Sequence, residues 1–168
     1  MADEITTTGR TDGTADRPAH GARLRAYRPR RPDAALGQAV ALLMTAPTFG
    51  ALRFGPWARV LAGQVNRGDY LLVGDGVRVR GMAGWFYADR AAAEAWLAGR
   101  LDPSPRPRDG AAVAVCNIVA ARDPAALRLV RRAAFRETAG VAWIYAKRVR
   151  ADGSLRPLRL RHPGAPPG

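Results

Sequence analysis

Few side chains of this 168-residue chain could act as a nucleophile or a base near neutral pH. The candidates are one cysteine, Cys116, and two histidines, His20 and His162. Cys116 lies in an apolar run, where a cysteine usually packs as a small hydrophobic residue. His20 belongs to a polar N-terminal stretch and His162 lies close to the other end, so we expect both on the exposed surface. A single cysteine also excludes an internal disulfide framework and a cysteine zinc cluster, and we predict no metal site.

Hydroxyl and glycine positions add further candidates. Thr45 and Thr48 flank the turn at Pro47, and their hydroxyls could donate a hydrogen bond to a bound group. A hydroxyl at a helix end more often makes a hydrogen bond to the neighbouring backbone. Both interpretations, a site hydroxyl and a local backbone contact, stay open. Gly81 and Gly84 interrupt an apolar extended pattern, which indicates a β-bulge or the close approach of a ligand to the backbone.

Two helices are predicted in the first half of the chain. Pro32 and Asp33 open the first helix, with Asp33 as its N-cap, and Pro47 ends it. Residues 56–66 form the second helix, which begins at a proline and is followed by Gly68 as a C-terminal glycine. Their inward positions follow the helical period: Leu36, Ala39, Val40, Leu42, Leu43 and Met44 in the first, and Trp57, Val60, Leu61 and Val65 in the second.

Two more helices are predicted further along. Asp89 caps a short alanine-rich helix that ends at Gly99, with Trp96 and Leu97 packed inward. A second aspartate, followed by a proline, starts the other helix as N-cap and first-turn residue. The residues of that helix are Asp123 and Pro124 at its start and Leu127, Val130, Ala134 and Phe135 on its inner side.

Extended segments alternate with these helices. Residues 70–73 and 77–87 form a hairpin around the Gly-Asp-Gly turn at 74–76. Residues 111–120 are a continuous apolar run, typical of a central strand covered on both faces. A closing hairpin is predicted over residues 141–160. This order predicts a single α/β (α+β) domain over residues 32–162, a mixed sheet flanked by helices.

Charge and the chain ends limit the function classes. The composition predicts a disordered basic tail over residues 1–31 and a flexible end over residues 163–168. The N-terminus lacks an apolar signal segment and no run reaches the ~18 apolar residues of a membrane span, so we expect a cytoplasmic protein without a transmembrane segment. A net charge of +13 speeds encounter with polyanions, which include nucleic acid, anionic lipid and acidic proteins.

The order of several short segments resembles a known family. The segment LGQAVALLMTAPTF at 36–49 is followed by NRGDY at 66–70, GWF at 84–86, RDG at 108–110 and CNIVAA at 116–121. Together they resemble the RTX toxin-activating lysine-acyltransferases, the haemolysin-activator family, over about residues 34–150. That family has an LG-x-A-V-x-L-M segment with a Ser-Pro-x-His-Arg turn, then a Ser-Trp-Ala segment and an apolar strand that ends in an aspartate.

The resemblance implies a GNAT-like fold and a specific reaction. It implies transfer of a fatty acyl group from acyl carrier protein to the amine of a lysine in a toxin or secreted peptide. Acyl-acyl carrier protein is then the donor, and no cofactor is bound. Acyl carrier protein is acidic, so the charge of this chain would steer the two together. A homodimer is a further expectation.

The resemblance also assigns site residues, and two expected groups are missing. The family's turn reads Ala46-Pro47-Thr48-Phe49 here, so Phe49 replaces the histidine and Ala46 the serine. A phenyl ring cannot accept a proton, which leaves Thr48, Asn117 and Cys116 as substitutes. The resemblance assigns Gly84 and Trp85 to binding of the acyl donor. Asn117 lies near the position of the family's strand-end aspartate, and Glu94 or Asp102 would correspond to the family's acidic residue.

Two alternative functions remain open from the sequence. Loss of the motif serine and histidine favours a catalytically inactive relative that binds carrier or substrate. The arginine-rich segment at 23–32 favours a nucleic-acid-binding protein, but the chain has no zinc finger or ribonucleoprotein motif, so we expect no specific nucleic-acid recognition.

Overall fold

The computed structural model describes residues 23–50, 52–100, 105, 107–150, 152–162 and 165. His20 and Asp102, most of the predicted tail and most of residues 163–168 lie outside these ranges. The predicted domain boundary at residue 32 is wrong, because Arg25–Tyr27 forms strand β1 and pairs with a strand of the main sheet. Leu24 and Ala26 pack against the apolar core, so the sheet includes residues that the composition assigned to the tail.

One six-stranded sheet organises the described chain, in the spatial order β1 to β6. All neighbouring strands are antiparallel except β4 and β5, which are parallel. The mixed sheet is therefore confirmed. The remaining strands are β2 (Tyr70–Gly74), β3 (Val79–Ala88), β4 (Val113–Ala121), β5 (Trp143–Val149) and β6 (Leu155–Arg161).

The helices cover both faces of this sheet. Apolar residues of α1 and α3 pack on Leu72, Met82 and Ile118, and α4 packs on Phe86 on the same face, which we name the α3 face. Helix α5 packs on the other side against Trp85 and Cys116, and this side is named the α5 face. The helices are α1 (Pro32–Leu43), α2 (Pro47–Gly50), α3 (Phe54–Arg67), α4 (Arg90–Leu97) and α5 (Pro124–Glu137).

Local capping signals were reliable at most helix ends. Asp89 accepts a hydrogen bond from Ala92 N at 2.7 Å and Asp123 from Ala126 N at 2.8 Å, as predicted. Gly68 adopts a left-handed conformation with φ of 74° at the end of α3, also as predicted. The N-cap of α1 is Arg31 instead of Asp33, because Pro32 is the first helical residue and the Asp33 carboxylate pairs with Arg31 from inside the first turn.

Several predicted inward or strand positions are exposed. Met44 is 72% exposed because α1 ends at Leu43, and Leu127 is 39% exposed because the inner side of α5 is formed mainly by small residues. Val77 is 83% exposed and lies in the β2–β3 connection. The Asp75 carboxylate accepts hydrogen bonds from the backbone N–H groups of residues 77 and 78, so the turn is longer than the predicted Gly-Asp-Gly.

In the described ranges, every helix is too short or too polar to cross a lipid bilayer.

Candidate active site at a bulge in strand β4

Asn117 is the extra residue of a β-bulge. Along the β3–β4 ladder, Gly84 is opposite Ile118 and Trp85 is opposite Cys116, so Asn117 has no Cα partner on β3. The parallel ladder between β4 and β5 ends at Cys116 and Ala146. Asn117 therefore lies where the bulge meets the last rung between the two parallel strands. The bulge predicted from the glycines of β3 is confirmed.

Gln64 of α3 holds Asn117 in place. Its side chain is 1% exposed, and Nε2 donates to the backbone oxygen of Trp85 at 3.0 Å and to Asn117 Oδ1 at 2.7 Å. Its Oε1 is buried and accepts no hydrogen bond from any residue that the structure describes. A Cβ atom on Gly84 would lie 2.6 Å from this Oε1, so glycine is what allows the carboxamide to reach the bulge. The group that approaches the Gly84 backbone is thus a side chain of this protein.

These two amides offer complementary hydrogen-bonding groups. Asn117 Oδ1 already accepts from Gln64, which leaves the Nδ2 N–H groups of Asn117 to donate to a carbonyl oxygen. Gln64 Oε1 can accept from an N–H group of a bound molecule. A neutral donor and acceptor side by side can hold a carbonyl compound and an amine, but neither amide can remove a proton at neutral pH.

Gln64 was missed by the sequence reasoning, although a signal was present. Its position on the predicted second helix lies between Leu61 and Val65, within the buried apolar stripe. A polar residue inside such a stripe must find hydrogen-bond partners in the core, which makes it a candidate site residue.

Thr48 and Phe49 lie on the short helix α2. Thr48 is exposed, and the ring of Phe49 stacks on Trp57 of α3 with centroids 5.3 Å apart. Phe49 also packs against the apolar cluster under α1 and α3. Thr45 Oγ1 donates to the backbone oxygen of Leu42 at 2.7 Å, the local bond expected at a helix end. Phe49 has a packing role, and a part for Thr48 in the reaction stays a prediction.

Cys116 is adjacent to Asn117 in sequence but packs on the opposite face. It lies in the α5-face core and is 8% exposed. Burial raises the pKa of its thiol to about 12, so the reactive thiolate is almost absent at neutral pH. Cys116 is a poor nucleophile in this position.

The burial of Cys116 predicts slow alkylation. At pH 8 a thiol with a pKa of about 12 has a thiolate fraction of about 10⁻⁴. We therefore expect iodoacetamide to label native protein at least about 100-fold more slowly than urea-unfolded protein, measured by intact mass. Fast labelling of the native protein would contradict this placement.

Glu94, one candidate for the acidic residue, is tied to the sheet. Its carboxylate accepts a hydrogen bond from the Tyr145 hydroxyl at 2.8 Å and from Arg159 Nε and Nη2 at 2.8 and 2.6 Å. The hydrogen bonds from Arg159 and then Tyr145 lower the pKa of Glu94 to about 2. Such a carboxylate is a weak base, and its position connects α4 to β5 and β6. The other candidate, Asp102, lies outside the described residues.

Glu94→Gln tests this connection through the pH dependence of stability. The folded pKa of about 2 lies below the usual 4.5, so the stabilisation is present above pH 4.5 and is lost as the pH falls towards 2. At pH 7 the substitution should lower the free energy of unfolding by about 1 kcal/mol, since the pair is partly exposed to solvent. Urea unfolding should show this difference shrinking at pH 3. Asp109→Asn, at an exposed loop position, is the control, and an equal loss there would contradict the assignment.

The prediction that His162 is exposed is wrong. His162 is 8% exposed, and its Nε2 donates to the backbone oxygen of Phe135 at 2.7 Å. The backbone N–H of His162 donates to the backbone oxygen of Ala142. Ala142 lies four residues before Ala146, the last β5 residue that pairs with β4, and four residues of strand span about 13 Å. Strand β6 extends beside β5 to Arg161 and carries His162 into this buried position. The imidazole therefore lies well away from Asn117.

Among residues 23–50, 52–100 and the other described ranges, no cluster of three or more His, Cys, Asp or Glu side chains is suited to hold a metal ion.

Comparison with known proteins shows a likeness to solved structures. No protein-family model matches the chain, and no curated protein matches it. Among solved structures it is similar to a GCN5-related N-acetyltransferase (GNAT) from Kribbella flavida, with a TM-score of 0.51 and 16% sequence identity. The match covers 77% of this chain and 31% of that chain, so this chain spans less than a third of that protein's length. At this identity the likeness shows the fold alone, and the predicted GNAT-like fold is confirmed.

Proposed function

We propose that this protein is an N-acyltransferase that moves an acyl group from a thioester to an amine, with its reaction centre at Asn117 and Gln64. The observation that carries the proposal is the buried Oε1 of Gln64, which lacks a partner among the described residues and lies beside a bulge in a GNAT-like sheet. A buried carbonyl oxygen without a donor is costly, and an incoming amine would supply the missing N–H group.

The two amides would act on different reactants. Asn117 Nδ2 would donate to the thioester carbonyl oxygen and to the negative charge that develops on it as the tetrahedral intermediate forms. Gln64 Oε1 would accept an N–H bond of the attacking amine and fix its direction. The new C–N bond forms and the C–S bond breaks, while the amine proton passes to solvent or to the leaving thiolate. This scheme needs a neutral amine but no protein base, in agreement with a site made of amides.

The nature of the substrates rests on charge and on the family resemblance. We propose an acidic acyl carrier protein with a fatty acyl chain as donor, attracted by the net charge of +13. The acceptor would be a lysine of a toxin or secreted peptide, as in the toxin-activating lysine-acyltransferases that the segments around 36–49 and 84–86 resemble. Gly84 and Trp85 would contribute to the site through their backbone atoms, which lie beside the carboxamide of Gln64.

A direct assay tests the proposal. Acyl carrier protein thioesters of several chain lengths are incubated with the protein and with a lysine-containing polypeptide encoded beside it, and the acceptor is mapped by mass spectrometry. Lys147 is the single lysine of the chain, so a Lys147→Arg form separates transfer to the acceptor from modification of the enzyme's own side chain. Acyl-lysine in the acceptor is expected. Intact thioester and unmodified acceptor at every chain length would count against the proposal.

A second function is favoured by one observation. The ionisable candidates that the structure describes are engaged elsewhere, since Cys116 is on the α5 face, Glu94 binds Arg159 and His162 binds Phe135. A catalytically inactive relative that only binds an acylated carrier fits this arrangement. It predicts saturable binding of acyl carrier protein without turnover, and gain of acyl transfer in Phe49→His would support it.

A further inference from the structure

A pocket of about 380 Å³ lies on the other side of Trp85 from Gln64. Its walls come from the end of α3, from β3, from the loop before β4 and from the end of α5. The volume falls within the range of about 300–1,000 Å³ of small-molecule pockets. The proposed acyl transfer makes no use of this space.

Three arginines line the pocket, and each donates a hydrogen bond that fixes its orientation. Arg28 Nε donates to the backbone oxygen of Tyr70 at 2.6 Å, and its guanidinium carbon lies 5.9 Å from the ring centres of Tyr70 and Trp85. Arg67 Nε donates to Asp69 at 2.8 Å, and Arg108 Nη2 donates to the backbone oxygen of Ala139 at 2.5 Å. A guanidinium has five N–H donors, so these bonds orient each arginine and use only part of its capacity.

The pocket has an excess of positive charge. The acids that face the arginines are Asp69 and Glu137, of which Glu137 pairs with Arg28 at 2.8 Å. Among the lining residues that the structure describes, three cations against two carboxylates leave one positive charge. Burial raises the pKa of Asp69 above its usual value, against the pull of Arg67, Arg28 and Arg108. An anionic ligand would complete the charge balance.

Aromatic side chains supply an apolar wall with two polar groups. Trp85 is 1% exposed and Tyr87 is 4% exposed. Burial raises the pKa of Tyr87, and the neighbouring indole N–H of Trp85 opposes this rise. That N–H is nevertheless buried and makes no hydrogen bond of normal geometry with any described residue. A ligand oxygen in the pocket would give it an acceptor.

We propose that this pocket binds a small organic anion, a carboxylate or a phosphate monoester carried on a ring or short apolar body. The anionic group would contact the guanidinium groups of Arg28, Arg67 and Arg108, and the apolar body would lie against Trp85 and Tyr87. The planar fork of N–H donors on a guanidinium can bind two oxygens of either anion, so experiment must distinguish the carboxylate from the phosphate.

The test uses benzoate and phenyl phosphate as separate probes in calorimetric titrations of the full chain at constant ionic strength. Benzylamine, a cation of similar shape, is the ligand control. We expect saturable binding of one equivalent of at least one anion and none of benzylamine. Arg108→Gln should weaken that binding about tenfold or more, the equivalent of one charge-assisted hydrogen bond.

Arg131→Gln is the matched control, because it removes the same charge from an exposed position of α5 outside the pocket. Trp85→Phe keeps an aromatic ring and removes the indole N–H, so it should weaken binding by a smaller factor. Loss of affinity in Arg131→Gln equal to that in Arg108→Gln would show diffuse attraction to a basic protein and overturn the proposal. Absence of one-to-one binding of both anions up to about 10 mM would also overturn it.

Discussion

Replacing Asn117 with aspartate is expected to slow acyl transfer by about 100-fold or more while the fold stays intact. The carboxylate keeps the oxygen that accepts from Gln64 Nε2 at 2.7 Å, so the contact between α3 and β4 is retained. It removes the Nδ2 donors and places a negative charge where the oxyanion would develop. Loss of one donor to such a charge costs about 10²–10³ in rate in enzymes of known mechanism. Initial rates with saturating thioester measure the effect.

Two further variants serve as comparisons for Asn117→Asp. Asn117→Ala removes both the donors and the acceptor, so it should slow transfer and also leave a buried N–H of Gln64 unpaired, at a cost of about 1–3 kcal/mol in urea unfolding. Val119→Ala, two residues along β4 at a partly exposed position, should keep the wild-type rate. A wild-type rate in Asn117→Asp would remove Asn117 from the reaction.

Gly84→Ala is expected to disrupt the same centre through a single methyl group. Its Cβ would lie 2.6 Å from Gln64 Oε1 and 3.1 Å from Cδ and Nε2, so the buried carboxamide must move. Displacing it breaks the bonds to Trp85 and Asn117, and overpacking of this kind costs about 1–3 kcal/mol. We expect a matching drop in the urea midpoint and at least a tenfold loss of acyl transfer.

Gly81→Ala separates crowding from the role of Gln64. The added Cβ would lie 2.7 Å from Val130 Cγ2 on the α5 face, so this variant should also lose stability but keep the arrangement of Asn117 and Gln64. A double-mutant cycle of Gly84→Ala with Gln64→Ala adds a second control, because truncating Gln64 makes room for the methyl group. The double variant should be more stable than the sum of the single effects by about 1 kcal/mol. Strict additivity would contradict the proposed clash.

Local signals in the sequence were sufficient for most of the elements. Asp89 and Asp123 cap helices because their carboxylates reach backbone N–H groups a few residues away, and Gly68 ends α3 because glycine tolerates positive φ. The apolar run from 111 to 120 predicts a central strand, and β4 at Val113–Ala121 is the fourth strand of six, although Val119 is exposed. Such interactions involve neighbours in the chain, so composition and period reveal them.

The site depended on contacts between distant segments. The sequence alone determined the order of helices and strands, the two aspartate caps and the presence of glycines in β3 that mark a bulge. Tertiary structure decided that Asn117 is the bulged residue, that Gln64 from 53 positions earlier bonds to it, and that Cys116 next to it faces the opposite helix. Side-chain direction changes at a bulge, and strand register is fixed by packing between elements, so a pattern along one strand cannot assign these three roles.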